Sequence, residues 1–519
     1  MSVRNLDLPS IVGRIRTPAQ KGAEPSISSG AARKIEVPDP VTLLELAAQA
    51  GVTIEWVLYG GGEQEPSGGS SAGSKRDHPP PVNLVLQQPA MVELRELLSG
   101  PMLTKAVREA LASWTPQATI DAAAAIAGVA AAQARAQCLT ARDYINATGI
   151  IVHTGWGNAP LANAARERLS EAAGATPTGA AGSHGRTETC ERMLRALTGA
   201  ERATITTSNA ASLLLIGGAL ASGRDIVVAA RDLIEISEGV RVRDIIEASG
   251  ARAVPVGAAN CVNMEDFRRA ITPGTAALMR SHASNVAATG YVEHVADADL
   301  GRLAQERGVP FVVNLGGGSL VDLTERGLPE CPTISQAMRD GADLVLASGD
   351  KIVGGPQAGI VVGKEGFIET IVRHPLARTC RPGKLTLAAL EGTLAAYLAG
   401  RAWEQVPTLR LLATNIDSLR ERARALADGL RQRGYDAVEA EDHAQCGGAV
   451  MPGVDLPTWT VRIKHVKFSE DELHALLLAR RVVTRRGGGA VVVDLRSVPR
   501  EDDPRLHRAL GATIAAETA

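Results

Sequence analysis

Residues 348–359 read SGDKIVGGPQAG and follow DLVLA at 343–347, a run with the character of a buried strand. A ligand can approach the backbone closely at such a place, because glycine has no side chain to block it. Burial of Lys351 would remove solvent, lower the pKa of the amine and make it a nucleophile toward an aldehyde. Ser348, three residues earlier, carries a hydroxyl that can donate to a phosphate. An exposed lysine in a glycine-rich turn is the alternative interpretation.

Outward from this segment, strand-like runs alternate with helical stretches of about 10–15 residues. The strand-like runs lie at 203–207, 225–230, 252–256, 275–279, 310–314 and 343–347. This alternation predicts an α/β fold whose large domain contains a mostly parallel sheet, of the seven-stranded type, with helices on both faces.

The flanking regions have different patterns. Helical periodicity is present at 82–143, and alanine and leucine at 385–433 predict a long helix. The remainder is predicted to be a small α+β domain, with a strand at 458–466, a capping box beginning at Ser469 and a hairpin around the glycines at 487–489.

At 519 residues the chain is too long for one compact core. The expected division is a first unit at 1–60, a Gly/Ser-rich flexible linker at 61–81, a helical segment at 82–143, a large ligand-binding domain at 144–384, and the long helix with the small α+β domain at 385–519. The fold class alone does not decide the chemistry.

Composition and charge bear on the partners, the metal content and the location to be expected. The net charge of −2 gives no global electrostatic argument for nucleic acid or membrane. Six cysteines without a C-x-x-C pair indicate neither a disulfide framework nor a zinc cluster, so no metal site is expected. The sequence has no apolar run long enough for a membrane span. A cytoplasmic location is therefore expected.

Several motifs, in order along the chain, resemble the selenocysteine synthase family, the bacterial L-seryl-tRNA(Sec) selenium transferases. The segment SGDKIVGGPQAGIVVGK at 348–364 is similar to the cofactor-lysine segment of that family. The other similar segments are INATG at 145–149, LTGAE at 197–201, SNAA at 208–211, LIEI at 233–236, HASN at 282–285, GSLVDL at 318–323, HPL at 374–376, LTLAALE at 385–391 and DLR at 494–496. The resemblance implies the aminotransferase-like fold (fold type I) and the cofactor pyridoxal 5'-phosphate (PLP).

The resemblance also implies catalytic roles. Lys351 would form a Schiff base with PLP, be displaced by the amine of the substrate, and then move the proton of the substrate Cα. Asp350, directly before it, is expected among the catalytic residues. His282 resembles the family residue beside the cofactor ring, although a structural buried histidine is the alternative.

Further residues are expected to bind the cofactor. Ser208, Asn209 and Ala210 precede or open a helix, and backbone N–H groups at a helix N-terminus suit a phosphate. A plain helix cap is the alternative interpretation. Ser348 would assist at the phosphate, and Asn314 stands where the family has an aspartate that pairs with the protonated pyridine nitrogen. A neutral asparagine should stabilise the pyridinium less and weaken PLP as an electron sink.

The substrate side of the site carries two more differences from the family. Arg378 and Arg381 match arginines that in the family face the substrate or the selenium-donor anion, and a solvated surface position is the alternative interpretation. Asn158 stands where the family motif T-N-L-G-R has its arginine. At 183–186 only Arg186 remains of two family arginines. These losses of positive charge put the use of selenophosphate in doubt more than they affect PLP binding.

Three functions follow from the resemblance. The first is a transferase acting by α-deprotonation and β-elimination at an amino substrate, with a small molecule or an aminoacyl-tRNA as partner. The second is a PLP-dependent ammonia-lyase acting on a small amino acid or an amino-sugar phosphate. The third is a PLP-binding regulator with a DNA-binding N-terminus. A homo-oligomer is implied by the family.

Residues 1–60 have no counterpart in the family core. Residues 41–60 resemble the closing helices of phage-repressor-type helix-turn-helix domains. The basic surplus at 1–36 is mild, and prolines and glycines interrupt the upstream half. DNA binding by this unit is therefore possible but not favoured, and a degenerate helical unit used for packing is preferred.

Overall fold

The computed structural model describes residues 79–96, 98, 100–112, 122–138, 144–174, 183–448 and 450–515. The expected unit at 1–60, with its helix-turn-helix resemblance, and residues 61–78 of the expected linker lie outside the described residues.

The described residues form helices and strands in alternation along most of the chain. The α-helices are α1 (Val82–Leu86), α2 (Pro89–Val92), α3 (Gly100–Ala112), α4 (Ala122–Cys138), α5 (Asn163–Gly174), α6 (Ser183–Thr198), α7 (Asn209–Ala221), α8 (Val242–Ala248), α9 (Met264–Ala270), α10 (Asp297–Arg307), α11 (Ile334–Arg339), α12 (Glu365–Arg373), α13 (Leu376–Thr379), α14 (Lys384–Leu398), α15 (Ala402–Gln405), α16 (Pro407–Leu412), α17 (Ile416–Arg431), α18 (Glu470–Ala479) and α19 (Asp503–Ala515). The β-strands are β1 (Ile145–Ala147), β2 (Ile150–Val152), β3 (Arg202–Thr206), β4 (Asp225–Ala229), β5 (Glu235–Ser237), β6 (Val240–Arg241), β7 (Arg252–Val256), β8 (Thr275–Ser281), β9 (Phe311–Gly316), β10 (Leu344–Ser348), β11 (Gly359–Gly363), β12 (Asp436–Gly447), β13 (Val450–Lys464), β14 (Val482–Gly487) and β15 (Ala490–Asp494).

The main sheet, within the described ranges, has seven strands in the order β3-β11-β10-β9-β8-β4-β7. Strand β11 is antiparallel to both of its neighbours, and the other pairs are parallel. The predicted mostly parallel sheet is therefore confirmed, and each of the six strand-like runs is a strand of it.

Both faces of this sheet are covered by helices. Side chains alternate between the faces along a strand, so Val313 and Val345 belong to one apolar cluster while Val312 and Leu344 belong to another. Helices α6, α10 and α14 contribute to the first cluster, and α7, α8 and α12 to the second. A sheet buried on both faces explains the nearly continuous apolar runs in its strands.

A second sheet, of six strands in the described part of the chain, has the order β1-β14-β15-β13-β12-β2. Strands β14 and β15 form the predicted hairpin, and α18 begins with the predicted capping box at Ser469. Strands β1 and β2 come from residues 145–152, far earlier in the chain, and pair in parallel with β14 (Ile145 opposite Val482) and β12 (Ile150 opposite Gln445). The chain thus enters the C-terminal sheet before it builds the main one.

The prediction of one long helix at 385–433 is wrong, because four helices, α14 to α17, occupy this region. The first ends before Gly400, whose φ of 68° is left-handed. Pro407 starts α16, and the Asn415 side chain caps α17. Within the described ranges, no helix combines the length and apolar character that crossing a bilayer requires.

Candidate active site

Three of the predicted site residues, His282, Asn314 and Lys351, lie at the carboxyl edge of the main sheet, where the parallel strands β8, β9 and β10 end. His282 follows β8, Asn314 lies near the end of β9, and Lys351 follows β10. The backbone N–H of His282 donates to the carbonyl of Asn314 at 2.8 Å, which ties the first two strand ends together. In open α/β sheets ligands bind at this edge.

The N-terminus of α7 is placed beside this edge. Ser208 is its N-cap, and the Ser208 Oγ accepts from the N–H of Ala211 at 3.1 Å. Gly359 of β11 pairs with Ser348 on one side and with Thr206 on the other. A Cβ at Gly359 would collide with the side chains of Thr206 and Ser212, so glycine permits this close packing. The arrangement brings Ser348 near a helix N-terminus suited to a phosphate.

Asn314 is held by three hydrogen bonds and is only 6% exposed. Its Oδ1 accepts from Asn209 Nδ2 at 2.9 Å and from the N–H of Gly316 at 3.1 Å, and its Nδ2 donates to Ser281 Oγ at 3.0 Å. The Oδ1 of Asn209 is buried and has no hydrogen-bond partner in the described part of the chain. An unsatisfied buried polar atom beside Asn314 indicates a place where a polar ligand belongs.

Lys351 lies in a largely buried position. Burial lowers the pKa of Lys351, whereas the interactions with Asp350 and Cys446 act in the opposite direction and are outweighed. A Cβ added to Gly317 would lie 3.3 Å from the Lys351 Cδ, so the lysine chain runs along this glycine. The lowered pKa raises the fraction of neutral amine, the form that attacks an aldehyde.

Asp297, at the start of α10, was not singled out from the sequence. Its Oδ2 lies 3.2 Å from the Nε2 of His282 and orients that imidazole. Burial alone would raise the pKa of Asp297, but the hydrogen bond to His282 and the charges of His282, Arg280 and His294 together lower it. An ionised carboxylate therefore sits behind the imidazole.

Asn158 and Asp350 form a direct contact. The Asn158 Nδ2 donates to Asp350 Oδ2 at 2.6 Å, and the N–H of Ala159 donates to the Asp350 carbonyl at 3.0 Å. The backbone of Asn158 is left-handed, with a φ of 67°, a conformation that asparagine tolerates better than most residues. Asn158 thus positions the aspartate next to Lys351.

The predicted substrate arginines are placed in different surroundings. Arg186 forms an ion pair with Glu391 of α14 at 2.6 Å, and Arg378 is exposed at the end of α13. Arg381 lines a cavity of about 290 Å³ together with Glu191. Burial raises the pKa of Glu191 to about 7, and the charge of Arg202, which lowers it, does not offset this effect. The structure therefore does not gather these three arginines around Lys351 within the single chain.

A charged cavity beside His282 was also missed by sequence reasoning. It has a volume of about 380 Å³, and its charged lining includes Arg231, Asp232, Arg280 and His294. Arg280 lies inside β8, where an arginine in an otherwise apolar strand could have been noticed as a buried charge that requires a partner. Its carboxylate neighbours come from distant parts of the chain, which pattern reasoning does not connect.

The residues present fit PLP. Lys351 offers a largely buried amine, α7 offers N–H groups for a phosphate, and Asn209 and Asn314 offer polar atoms at the end of β9. By contrast, the described residues contain no group of three or more histidine, cysteine, aspartate or glutamate side chains that could hold a metal ion. The fold and the site together define a PLP-dependent enzyme of the aminotransferase-like fold, fold type I.

Comparison with known proteins specifies the family. Residues 144–499 match the family described as L-seryl-tRNA selenium transferase. The L-seryl-tRNA(Sec) selenium transferase of Geobacter sulfurreducens is 35% identical over 455 residues, covering 83% of this chain and 97% of that protein. The enzyme of the same name from Solidesulfovibrio magneticus is 39% identical over 393 residues, covering 73% and 83%. The chain belongs to the L-seryl-tRNA selenium transferase family and, like that family, depends on PLP.

A solved structure supports the fold. The structure of D-glucosaminate-6-phosphate ammonia-lyase matches with a TM-score of 0.54 at 19% identity, covering 74% of this chain and 98% of that one. The fold class expected from the sequence is therefore confirmed, and the family match confirms PLP as the cofactor.

Proposed function

We propose that this chain acts as an L-seryl-tRNA(Sec) selenium transferase, which removes the α-proton and the β-substituent of a serine carried by tRNA and then adds selenium. The observation that carries this proposal is the placement of Lys351, His282 and Asn314 at one sheet edge, in a chain that matches transferases of this name over most of its length.

Seven residues would hold the cofactor. Lys351 would bind it covalently, Asn314 would face the ring nitrogen, and His282 would lie against the ring. Its phosphate would be bound by the N–H groups of Asn209 and Ala210 at the start of α7 and by the hydroxyls of Ser208 and Ser348. When bound, PLP supplies an electron sink for the charge left on the substrate Cα after deprotonation.

The side chains around Lys351 would move and hold protons. Lys351 Nζ would be the base that accepts the substrate Cα proton, and its lowered pKa favours the neutral form that this role requires. Asp350, fixed by Asn158, stands directly before the lysine and is the second acid–base group of the site. Asp297 fixes the orientation of His282, and an imidazole held in this way would limit the motion of a cofactor ring bound against it.

The substrate-binding residues are proposed from the motif positions. Arg378 lies near the end of α13 and Arg381 follows that helix, and the carbonyl of Cys380 accepts from the N–H of Thr207, next to the N-cap of α7. This contact brings the segment to the phosphate end of the site. Arg186 is proposed to act through its pair with Glu391, and Asn158 through Asp350.

An ammonia-lyase is the second candidate, and the contact of Asn158 with Asp350 favours it. An arginine at this position would add a positive charge near Lys351, whereas the amide adds none. A site with less positive charge suits a substrate whose elimination product is hydrolysed rather than attacked by a selenium-donor anion. A regulator that uses residues 1–60 to bind DNA is the third proposal, and these residues lie outside the described ranges.

The partners and location are proposed along with the activity. An aminoacyl-tRNA is the proposed substrate carrier, supported by the names of the relatives. We also propose a homo-oligomer in the cytoplasm, which membership of the family supports.

The test is conversion of seryl-tRNA(Sec) by the PLP-loaded protein with selenophosphate, compared with Lys351→Ala and with Lys467→Ala as a control at an exposed lysine. Selenium incorporation in the wild type and in Lys467→Ala, with loss in Lys351→Ala, supports the proposal. Release of ammonia without selenium incorporation, from serine or from an amino-sugar phosphate, would favour the lyase instead.

A further inference from the structure

We propose that the cavity beside His282 is a binding site for a tetrahedral oxyanion of the phosphate type, held by Arg231 and Arg280. This inference rests on the proposed function and deepens it, because it assigns the anionic part of the substrate or donor to particular residues of this chain. The cavity measures about 380 Å³.

The cavity adjoins the proposed catalytic lysine. Gly317 and Val450 both line it. A Cβ at Gly317 would meet the side chains of both Val450 and Lys351, so this lining glycine is a direct neighbour of the lysine. An anion bound in this cavity would therefore lie close to the place where the substrate amine reacts.

Two arginines line the cavity. Arg280 is only 7% exposed, yet its Nε and Nη1 make no hydrogen bond within the described part of the chain, and the same holds for the buried Nη1 of Arg231. Asp232 and Asp297 lie at ion-pair distances of 3.8 and 3.3 Å from Arg280. Asp232 instead accepts from the backbone of Ser281 at 3.1 Å. Buried guanidinium N–H groups without acceptors call for a ligand with oxygen acceptors.

The remaining titratable groups of the cavity favour an anion more strongly as pH falls. Burial, followed by the charges of Arg280 and Arg231, lowers the pKa of His294, and burial raises the pKa of Asp232. His282 and Asp297 are paired with each other, and Glu330 is exposed. Burial raises the pKa of Cys331 to about 12, so this thiol stays neutral. Protonation of His294 or Asp232 adds positive charge or removes negative charge beside the arginines.

The surroundings of the motif arginines support the same site. Arg186 is committed to Glu391, and Asn158 carries no charge. An oxyanion in this cavity would find its positive charge at Arg280 and Arg231, which line it. Guanidinium groups bind such anions through paired N–H donors.

The experiment measures binding of inorganic sulfate to the PLP-loaded protein by calorimetry, because sulfate keeps one charge over the pH range used. We expect saturable binding that strengthens below neutral pH. Arg280→Met should weaken it by about tenfold or more, as expected for the loss of charged hydrogen bonds. Arg231→Met serves as a second test if the buried substitution prevents folding. Arg302→Met, at an exposed arginine of α10, is the matched control and should bind as the wild type does.

Two sources of the anion are distinguished by competition with seryl-tRNA at matched ionic strength. Sulfate that displaces the tRNA assigns the cavity to the 3′-terminal phosphodiester, and sulfate that binds alongside the tRNA assigns it to a small-molecule donor. Absent or non-saturable sulfate binding, or unchanged affinity in folded Arg280→Met and Arg231→Met, overturns the proposal. Because sulfate binding needs no turnover, a failure to transfer selenium would leave this result intact and would count against the proposed function alone.

Discussion

Replacing Asn314 by aspartate tests whether the neutral amide leaves the cofactor ring unprotonated. The site can accept a carboxylate without rebuilding, because Asn209 and the N–H of Gly316 already donate to Oδ1. The hydroxyl of Ser281, which now accepts from Nδ2 at 3.0 Å, can rotate and donate to the new oxygen. Asn314→Asp therefore adds one negative charge and keeps the hydrogen bonds.

The expected effect is large because the position is only 6% exposed. Two opposite charges about 4 Å apart attract by about 4 kcal/mol at an effective dielectric constant of about 20. This energy corresponds to about 3 pKa units for the ring nitrogen of bound PLP. The pKa of that nitrogen should rise, so the ring should become protonated at neutral pH in Asn314→Asp and remain neutral in the wild type. Exchange of the substrate α-proton should become faster.

The assay is the ¹⁵N chemical shift of ring-labelled PLP bound to each protein, followed across pH. Asn285→Asp makes the same substitution at an exposed asparagine and should leave the ring nitrogen as in the wild type. A ring nitrogen that is already protonated in the wild type, or an identical titration in Asn314→Asp, would refute the reasoning.

Three further predictions concern the surrounding structure. Gly359→Ala should destabilise the fold by about 1–3 kcal/mol, because its Cβ would collide with Thr206 and Ser212, and should weaken PLP binding. Thermal unfolding and PLP titration measure both effects, and Gly366→Ala, which has open space in α12, should not be destabilising. Glu391→Gln should lower the free energy of unfolding by about 1–3 kcal/mol, because it removes the charge that pairs with Arg186. Glu369→Gln, in an exposed pair, should lower it by less than about 0.5 kcal/mol. Equal denaturation midpoints for the two variants would contradict this. Asp350→Asn should lower the pKa of Lys351 further, because the charge of Asp350 raises it. PLP should then attach to the apoprotein of this variant at a lower pH than to the wild type. An unchanged pH profile of attachment would argue against that coupling.

Local patterns were sufficient for much of the fold. The alternation of apolar runs and helical stretches predicted the strands of the main sheet, and the glycines at 487–489 predicted the β14–β15 hairpin. Lys351 was found because a lysine among glycines directly after a buried strand is a local pattern. These features depend on periodicity and turn chemistry within a few residues, which a sequence displays directly.

Other features were predicted wrongly or missed, because helix breaks and strand pairings depend on contacts outside the local sequence. Strand β11 was not predicted, since a five-residue run flanked by glycines has weak strand character until β3 and β10 pair with it. The helix expected at 385–433 is broken at Gly400 and Pro407, where composition alone suggested continuity.

The sequence by itself determined the lysine, the order of the strands along the chain and the class of cofactor chemistry that the motifs imply. Only the tertiary structure decided which groups surround the lysine. It brought Asn209 to Asn314 across 105 positions, Asp232 to Ser281 across 49, and Asn158 to Asp350 across 192. The physical reason is that parallel strands end at one edge of a sheet whatever their separation in sequence, so the electrostatics of the site arise from contacts that no local pattern contains.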